Sequence, residues 1–185
     1  MEGKPRTIRL RWLPNAITSL RLAVLPVLAW FVAVDPGPTS ARAAWFFGAI
    51  GATDFIDGQL ARRLRAESKF GAIADPFADR MLMAVGLIGL IALDRYSWPG
   101  PTIILARDMI AVFAFVILAR RGVELRVDLA GKISSGMAMF AVGLALLIDN
   151  RGIDIYFWIA VAVSVATFIN YAWGIARKLQ SSGST

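Results

Sequence analysis

Asp54, Asp57, Asp75 and Asp79 lie inside runs of sequence apolar enough to belong in a lipid bilayer. One Asp at the centre of a membrane-spanning helix costs about 2.5–3.5 kcal/mol, so four left unpaired would cost on the order of 10 kcal/mol. Clustered carboxylates in that setting demand positive charge, and a shared divalent cation is the direct compensation. The sequence holds neither histidine nor cysteine, which removes imidazole bases, thiolate nucleophiles, disulfides and nitrogen or sulfur ligands. Any metal here is therefore a hard, oxygen-bound ion: Mg²⁺, Mn²⁺ or Ca²⁺. Spacings of three and four residues put each pair on one helix face, separated along the axis by about 4.5 and 6 Å. Two such faces opposed across antiparallel helices would form the ring of oxygens that holds two cations about 3.5–4 Å apart.

The elements that must carry these acids are membrane helices. Of 185 residues 57% are hydrophobic and 18% charged, and the mean hydropathy is +0.62, more apolar surface than a soluble core of this size can bury. The apolar runs predict an all-α membrane protein with six spans, at residues 14–34, 43–61, 72–93, 101–119, 133–148 and 155–176. The chain opens without the pattern of a cleaved signal, so the first run is expected to be retained. A net charge of +7 could suggest nucleic acid, but the basic residues sort by alternate loops. Fourteen of them (Lys4, Arg6, Arg9, Arg11; Arg62, Arg63, Arg65, Lys69; Arg120, Arg121, Arg126, Lys132; Arg177, Lys178) fall on one side, against Arg42, Arg95 and Arg151 on the other. The positive-inside rule then makes both termini cytoplasmic, and no nucleic-acid partner is expected.

On that topology all four aspartates approach the cytoplasmic face. Gly58 directly after Asp57, Gly71 one turn before Asp75, and Ala61 leave room for a ligand or a close backbone, and Arg62 offers a fixed positive charge suited to phosphate. Asn15, Thr18 and Arg21 recur every third residue in the first span and could face a diphosphate; packing polarity explains them equally well. The outer loops Asp35-Pro-Gly-Pro38, Trp98-Pro-Gly-Pro101 and Asp149-Asn-Arg-Gly152 carry turn chemistry. Residues 7–13 alternate basic and apolar positions, as in a short interfacial helix or an ordinary positive flank. A single domain is expected over residues 1–180, with 181–185 a disordered Ser/Gly-rich tail.

Written out, Asp54-x-x-Asp57-Gly58-x-x-Ala61-Arg62, eight residues, then Gly71-x-x-x-Asp75-x-x-x-Asp79 resembles the signature of the CDP-alcohol phosphatidyltransferases at every fixed position. Leu13-Pro-Asn-Ala-Ile-Thr-Ser-Leu-Arg21 resembles the start of that family's first helix. Asp75-Pro-Phe-Ala-Asp-Arg80, Ala106-Arg-Asp108 and Gly131-Lys-Ile-Ser-Ser135 resemble segments of its phosphatidylglycerophosphate and cardiolipin synthase branches, so residues 13–145 are covered. The resemblance implies that an acceptor hydroxyl attacks the β-phosphorus of CDP-diacylglycerol and CMP leaves. It assigns Asp54, Asp57 and Asp75, completed by Asp79, to two Mg²⁺ or Mn²⁺ ions. Asp79 is the candidate base, and Gly58, Ala61, Arg62 and Gly71, with Thr53 as a neighbour, the CMP pocket. It also implies a homodimer with lateral access for lipid, while the exposed apolar faces of the spans suit a monomer equally well.

Arg107, well inside the fourth span, and Lys132, opening the fifth, are candidates to bind an anionic acceptor such as glycerol 3-phosphate, although Arg107 beside Asp108 equally suits a local salt bridge and Lys132 a plain anchor. Phosphatidylglycerophosphate synthase is the first expectation. Cardiolipin synthase, taking phosphatidylglycerol, is the second, and inositol phosphate a third acceptor. The carboxylates could instead pair with Arg62 or Arg80. In a different class, intramembrane acids could line a cation transporter, but the outer parts of spans three, five and six are nearly unbroken hydrocarbon, which favours a one-sided site. A scaffold role leaves the four acids without an explanation.

Overall fold

In the computed structural model, residues 13–64, 71–120 and 129–182 are described, with side chains over 19–53, 77–114, 117 and 129–174. They form six helices and no strand: α1 (Leu13–Val34), α2 (Ala41–Leu64), α3 (Gly71–Ala92), α4 (Pro99–Arg120), α5 (Leu129–Leu147) and α6 (Arg151–Ser182). The all-α class and the order of helices follow the apolar runs. Ends differ for local reasons. Helix α4 starts at Pro99, two residues before the expected span at Pro101, and both prolines sit in its first turn, where a missing N–H costs nothing. Asn150 caps α6 by accepting the Ile153 N–H at 3.0 Å, which starts that helix earlier than the run of apolar residues does. At its other end α6 continues through Ser181 and Ser182, which were expected in the tail. Residues 7–12 of the expected interfacial helix lie outside the described residues.

Only α5 and the Arg151–Gly174 part of α6 are long and apolar enough, among the described residues, to meet a length-and-composition test for crossing a membrane; Ser19–Val34 of α1 is a shorter apolar stretch. The other helices carry charge inside their apolar runs: Asp54 and Asp57 in α2, Asp75, Asp79 and Arg80 in α3, Arg107 and Asp108 in α4.

Helix α3 packs against α1, α4 and α5, while α5 also pairs with α2 and α6. Leu28, Phe47, Leu82, Leu87, Leu90, Ile104, Leu146 and Phe157 fill the interior. Ala138, Ala141 and Ala145, at helical spacing on α5, are fully buried and let neighbouring helices approach closely. Outside, the pattern is inverted: Trp30 is 64% exposed, Trp45 72%, Phe113 65%, Phe140 61% and Trp173 63%. Every helix thus presents large apolar side chains outward, unlike the scattered single residues of a water-soluble surface.

The loops at residues 35–40, 93–98 and 148–150 are tied into one end of the bundle. Ser40 caps α2, its Oγ accepting the Ala43 N–H at 3.1 Å, and its own N–H donates to the Leu146 carbonyl of α5 at 2.8 Å. Arg42 and Ser40 both hydrogen-bond the Asp35 carboxylate, which together hold its pKa below the ordinary carboxylate value. Arg95 is buried between Asp149 (3.3 Å) and Asp154 (2.6 Å) and lies over the Tyr96 ring at 4.7 Å. Tyr96 stacks on Phe157 with centroids 4.1 Å apart, and its hydroxyl donates to Asp154 at 2.9 Å. Burial first, and that hydrogen bond second, push the phenol's pKa upward, so it remains a donor. The α3–α4 and α5–α6 connections are thereby clamped together.

Candidate functional site

At the opposite end, the acid-bearing segments are the last turns of α2 and the first turns of α3. Helix α2 carries Asp54, Asp57, Gly58, Ala61 and Arg62, and α3 carries Gly71, Asp75 and Asp79. Residues 65–70 separate the two helices, so the ends of α2 and α3 lie within about 25 Å whatever path the connection takes. The side chains of Asp54, Asp57, Gly58, Ala61, Arg62, Gly71 and Asp75 lie outside the described residues, as do those of Asn15 and Thr18, which sit in the first turns of α1. Thr53 is exposed and its hydroxyl donates to the Ala49 carbonyl one turn back at 2.8 Å.

Asp79 is described, and one of its contacts is Arg21 of α1, with Nη1 3.4 Å from Oδ1. The guanidinium is buried, at 4% side-chain exposure, whereas the carboxylate is 46% exposed. A fixed cation therefore sits beneath an acid that still reaches the open side of the bundle. Arg21, expected to face a diphosphate, contacts Asp79 in the same site candidate. Arg80, weighed as a partner for the aspartates of the signature, pairs with Asp108 of α4. Successive helical residues diverge by about 100°, and Arg80 reaches α4.

There it meets a buried ionic network. Asp108, 5% exposed, accepts Arg80 Nη1 on Oδ2 at 2.7 Å and Arg107 Nη1 on Oδ1 at 2.6 Å. Arg107 Nη2 donates to Ser134 Oγ of α5 at 3.1 Å, and Ser134 in turn donates to the Gly131 carbonyl at 3.1 Å. Arg107 Nε is buried and has no hydrogen-bond partner among the described residues. The local salt bridge expected for Arg107 is present, but as part of a set joining α3, α4 and α5. Among the described residues, two guanidiniums on one carboxylate leave an excess of one positive charge. Lys132, expected to face inward, is exposed. The network of Arg80, Asp108 and Ser134 around Arg107 was not read from the sequence; the signal for it was charge in the middle of an apolar α4, which requires a partner from another helix.

The sequence profile of the CDP-alcohol phosphatidyltransferases matches residues 11–169, and the chain belongs to that family. A cardiolipin synthase (CMP-forming) of Streptomyces coelicolor is 32% identical over 177 residues, covering 94% of this chain and 80% of that protein. A probable phosphatidylglycerophosphate synthase of Mycobacterium tuberculosis is 31% identical over 182 residues, covering 95% and 85%. A CDP-diacylglycerol–glycerol-3-phosphate 3-phosphatidyltransferase of Bacillus subtilis is 29% identical over 179 residues, covering 86% and 92%. The protein is thus an enzyme of the phosphatidyltransferase class and works in phospholipid biosynthesis.

Proposed function

We propose that the chain transfers the phosphatidyl group of CDP-diacylglycerol to glycerol 3-phosphate, giving phosphatidylglycerophosphate and CMP. The observation that carries the choice of acceptor is the excess positive charge of Arg80 and Arg107 around Asp108, buried between helices next to the acid-bearing end of α3. A phosphomonoester dianion suits that excess charge better than the single negative charge of a phosphodiester lipid. Cardiolipin synthesis from phosphatidylglycerol is the second reading, favoured by the name of the Streptomyces relative.

All six helices are taken to span the bilayer as one domain. Outward-facing tryptophans and phenylalanines on α1, α2, α4, α5 and α6 support this, and so does the sorting of basic residues, which puts both termini and the acidic end at the cytoplasmic leaflet. A second copy would bury some of the exposed apolar faces, in keeping with a homodimer.

Asp54, Asp57, Asp75 and Asp79 would hold two Mg²⁺ or Mn²⁺ ions, and the donor set fits: it is all oxygen, spread over two consecutive helices whose ends the short connection keeps together. Bound there, divalent ions would neutralise charge developing on the pyrophosphate oxygens. Gly58, Ala61, Arg62 and Gly71, with Thr53 beside them, would form the CMP pocket. Asp79, fixed by Arg21, accepts the proton of the acceptor hydroxyl as its oxygen bonds to the β-phosphorus and the bond from that phosphorus to the CMP oxygen breaks. Arg107 orients the acceptor phosphate, and Lys132, at the mouth, would attract it.

The test is a purified, reconstituted protein given CDP-diacylglycerol with glycerol 3-phosphate, phosphatidylglycerol or inositol phosphate in turn, with Mg²⁺ or Mn²⁺ and with a chelator. Phosphatidylglycerophosphate is the expected product, lost with the chelator. Asp79→Asn should reduce CMP release by about 10²–10⁴-fold without changing the fold. Product formed from phosphatidylglycerol alone would replace the first reading with the second.

A further inference from the structure

We propose that Asp108 is a positioning residue that sets acceptor specificity by sharing its carboxylate between two arginines on different helices. The inference rests on the acceptor reading given above and goes beyond it, since Asp108 itself touches no substrate. Its two oxygens are divided: Oδ2 takes Arg80 from α3 at 2.7 Å and Oδ1 takes Arg107 from its own helix at 2.6 Å. At 5% exposure the carboxylate is held away from water, so it serves these two cations and not solvent. Ser134 completes the arrangement from α5, receiving Arg107 Nη2 and donating onward to Gly131, which fixes the plane of the guanidinium from the other side.

An ordinary buried ion pair would be neutral. Among the described residues this one, with Arg80 25% exposed at its edge, carries one cation more than it has anions, and Arg107 keeps a buried Nε–H that none of them accepts. Excess charge of that kind is costly in a low-dielectric setting unless an anion joins it. The guanidinium fork matches phosphate oxygens, and the cluster lies one residue along α3 from Asp79, at the end where the transfer is placed. Asp108 thus has two effects. It holds both forks in place before the acceptor arrives, and it cancels one of the two positive charges, which leaves the site attractive to a dianionic phosphomonoester without making it a sink for every anion.

The experiment compares Asp108→Asn, Asp108→Glu and Ser134→Ala with the wild type in reconstituted protein. It measures KM for glycerol 3-phosphate and for CDP-diacylglycerol separately, together with thermal stabilisation by glycerol 3-phosphate and by inorganic phosphate. Asp108→Asn should raise the acceptor KM about ten-fold or more, in line with the sensitivity of such sites to small displacements, and leave the KM for CDP-diacylglycerol within about two-fold. Asp108→Glu, which keeps the charge, should recover part of the loss, and Ser134→Ala should show a smaller rise of the same kind. If Asp108→Asn does not fold, Ser134→Ala carries the decision alone. An acceptor KM that both folded variants leave unchanged, or a loss that appears equally in both substrates and in unliganded stability, makes Asp108 a plain structural anchor and overturns the inference. A wild type that neither binds nor uses glycerol 3-phosphate overturns the acceptor reading itself.

Discussion

Replacing Arg95 by Met separates the stability of this bundle from its chemistry. Met retains an apolar stem and removes a guanidinium that is 6% exposed and lies between Asp149 and Asp154. Two unit charges 4 Å apart interact by about 4 kcal/mol at an effective dielectric of about 20. Here the acids are 52% and 37% exposed, so water screens much of that attraction. Between the roughly 0.5 kcal/mol of an exposed pair and the 3–5 kcal/mol of breaking a buried one, about 2 kcal/mol is expected. At about 2–4 °C per kcal/mol for a chain of this size, Tm should fall by about 4–8 °C. Thermal unfolding of the detergent-solubilised protein, followed by circular dichroism, reads the shift. The thirteen residues between Asp79 and the end of α3 at Ala92 rise about 20 Å, so specific CMP release below the transition should stay at the wild-type level. In a double-mutant cycle with Asp154→Asn, a coupling of about 1–2 kcal/mol should appear. A Tm change below about 1 °C, or a coupling near zero, would refute the clamp.

Arg21→Met should lower kcat about 10–100-fold by letting Asp79 lose its fixed orientation, with the protein still folded by circular dichroism; an unchanged kcat would remove Arg21 from the site. A Cβ at Gly86 would sit 2.8 Å from both Phe47 Cε2 and Val142 Cγ1, so Gly86→Val should cost about 1–3 kcal/mol through overpacking, seen as a lower Tm. Asp35, whose pKa is lowered by Arg42 and Ser40, contributes stability that is present above the ordinary carboxylate value of 3.8 and is lost as pH falls through its lower folded value. The Tm advantage of wild type over Asp35→Asn should accordingly shrink as pH drops below about 4, and an advantage independent of pH would contradict the assignment.

The helices were legible because long hydrocarbon runs leave little choice of secondary structure, and the family was legible because its spaced acids stand out in such runs. Turn chemistry was read correctly as punctuation and less well as position: Pro99 belongs to the helix it was expected to precede. What one dimension could not convey was rotation. Arg80 follows Asp79, yet it serves a different neighbour, because only the packing of α3 between α1 and α4 decides which residue meets which helix. The Arg107–Ser134 hydrogen bond joins residues 27 apart in sequence, and Arg95 reaches Asp154 across two helices. Lys132 illustrates the converse, since its place at the start of a helix did not determine that its side chain would be exposed.

Consecutive positions on α3 look in two directions, Asp79 toward Arg21 and Arg80 toward Asp108. On the proposed reading, one rigid rod therefore carries both the acid proposed to act at the scissile phosphate and a cation of the proposed acceptor site. Twisting or sliding that rod to suit a different alcohol would disturb the acid by the same amount, so new preferences are more readily reached from α5, through Ser134, than from α3. Variation among enzymes built this way should then accumulate on the far wall of the acceptor pocket, while the shared rod stays still.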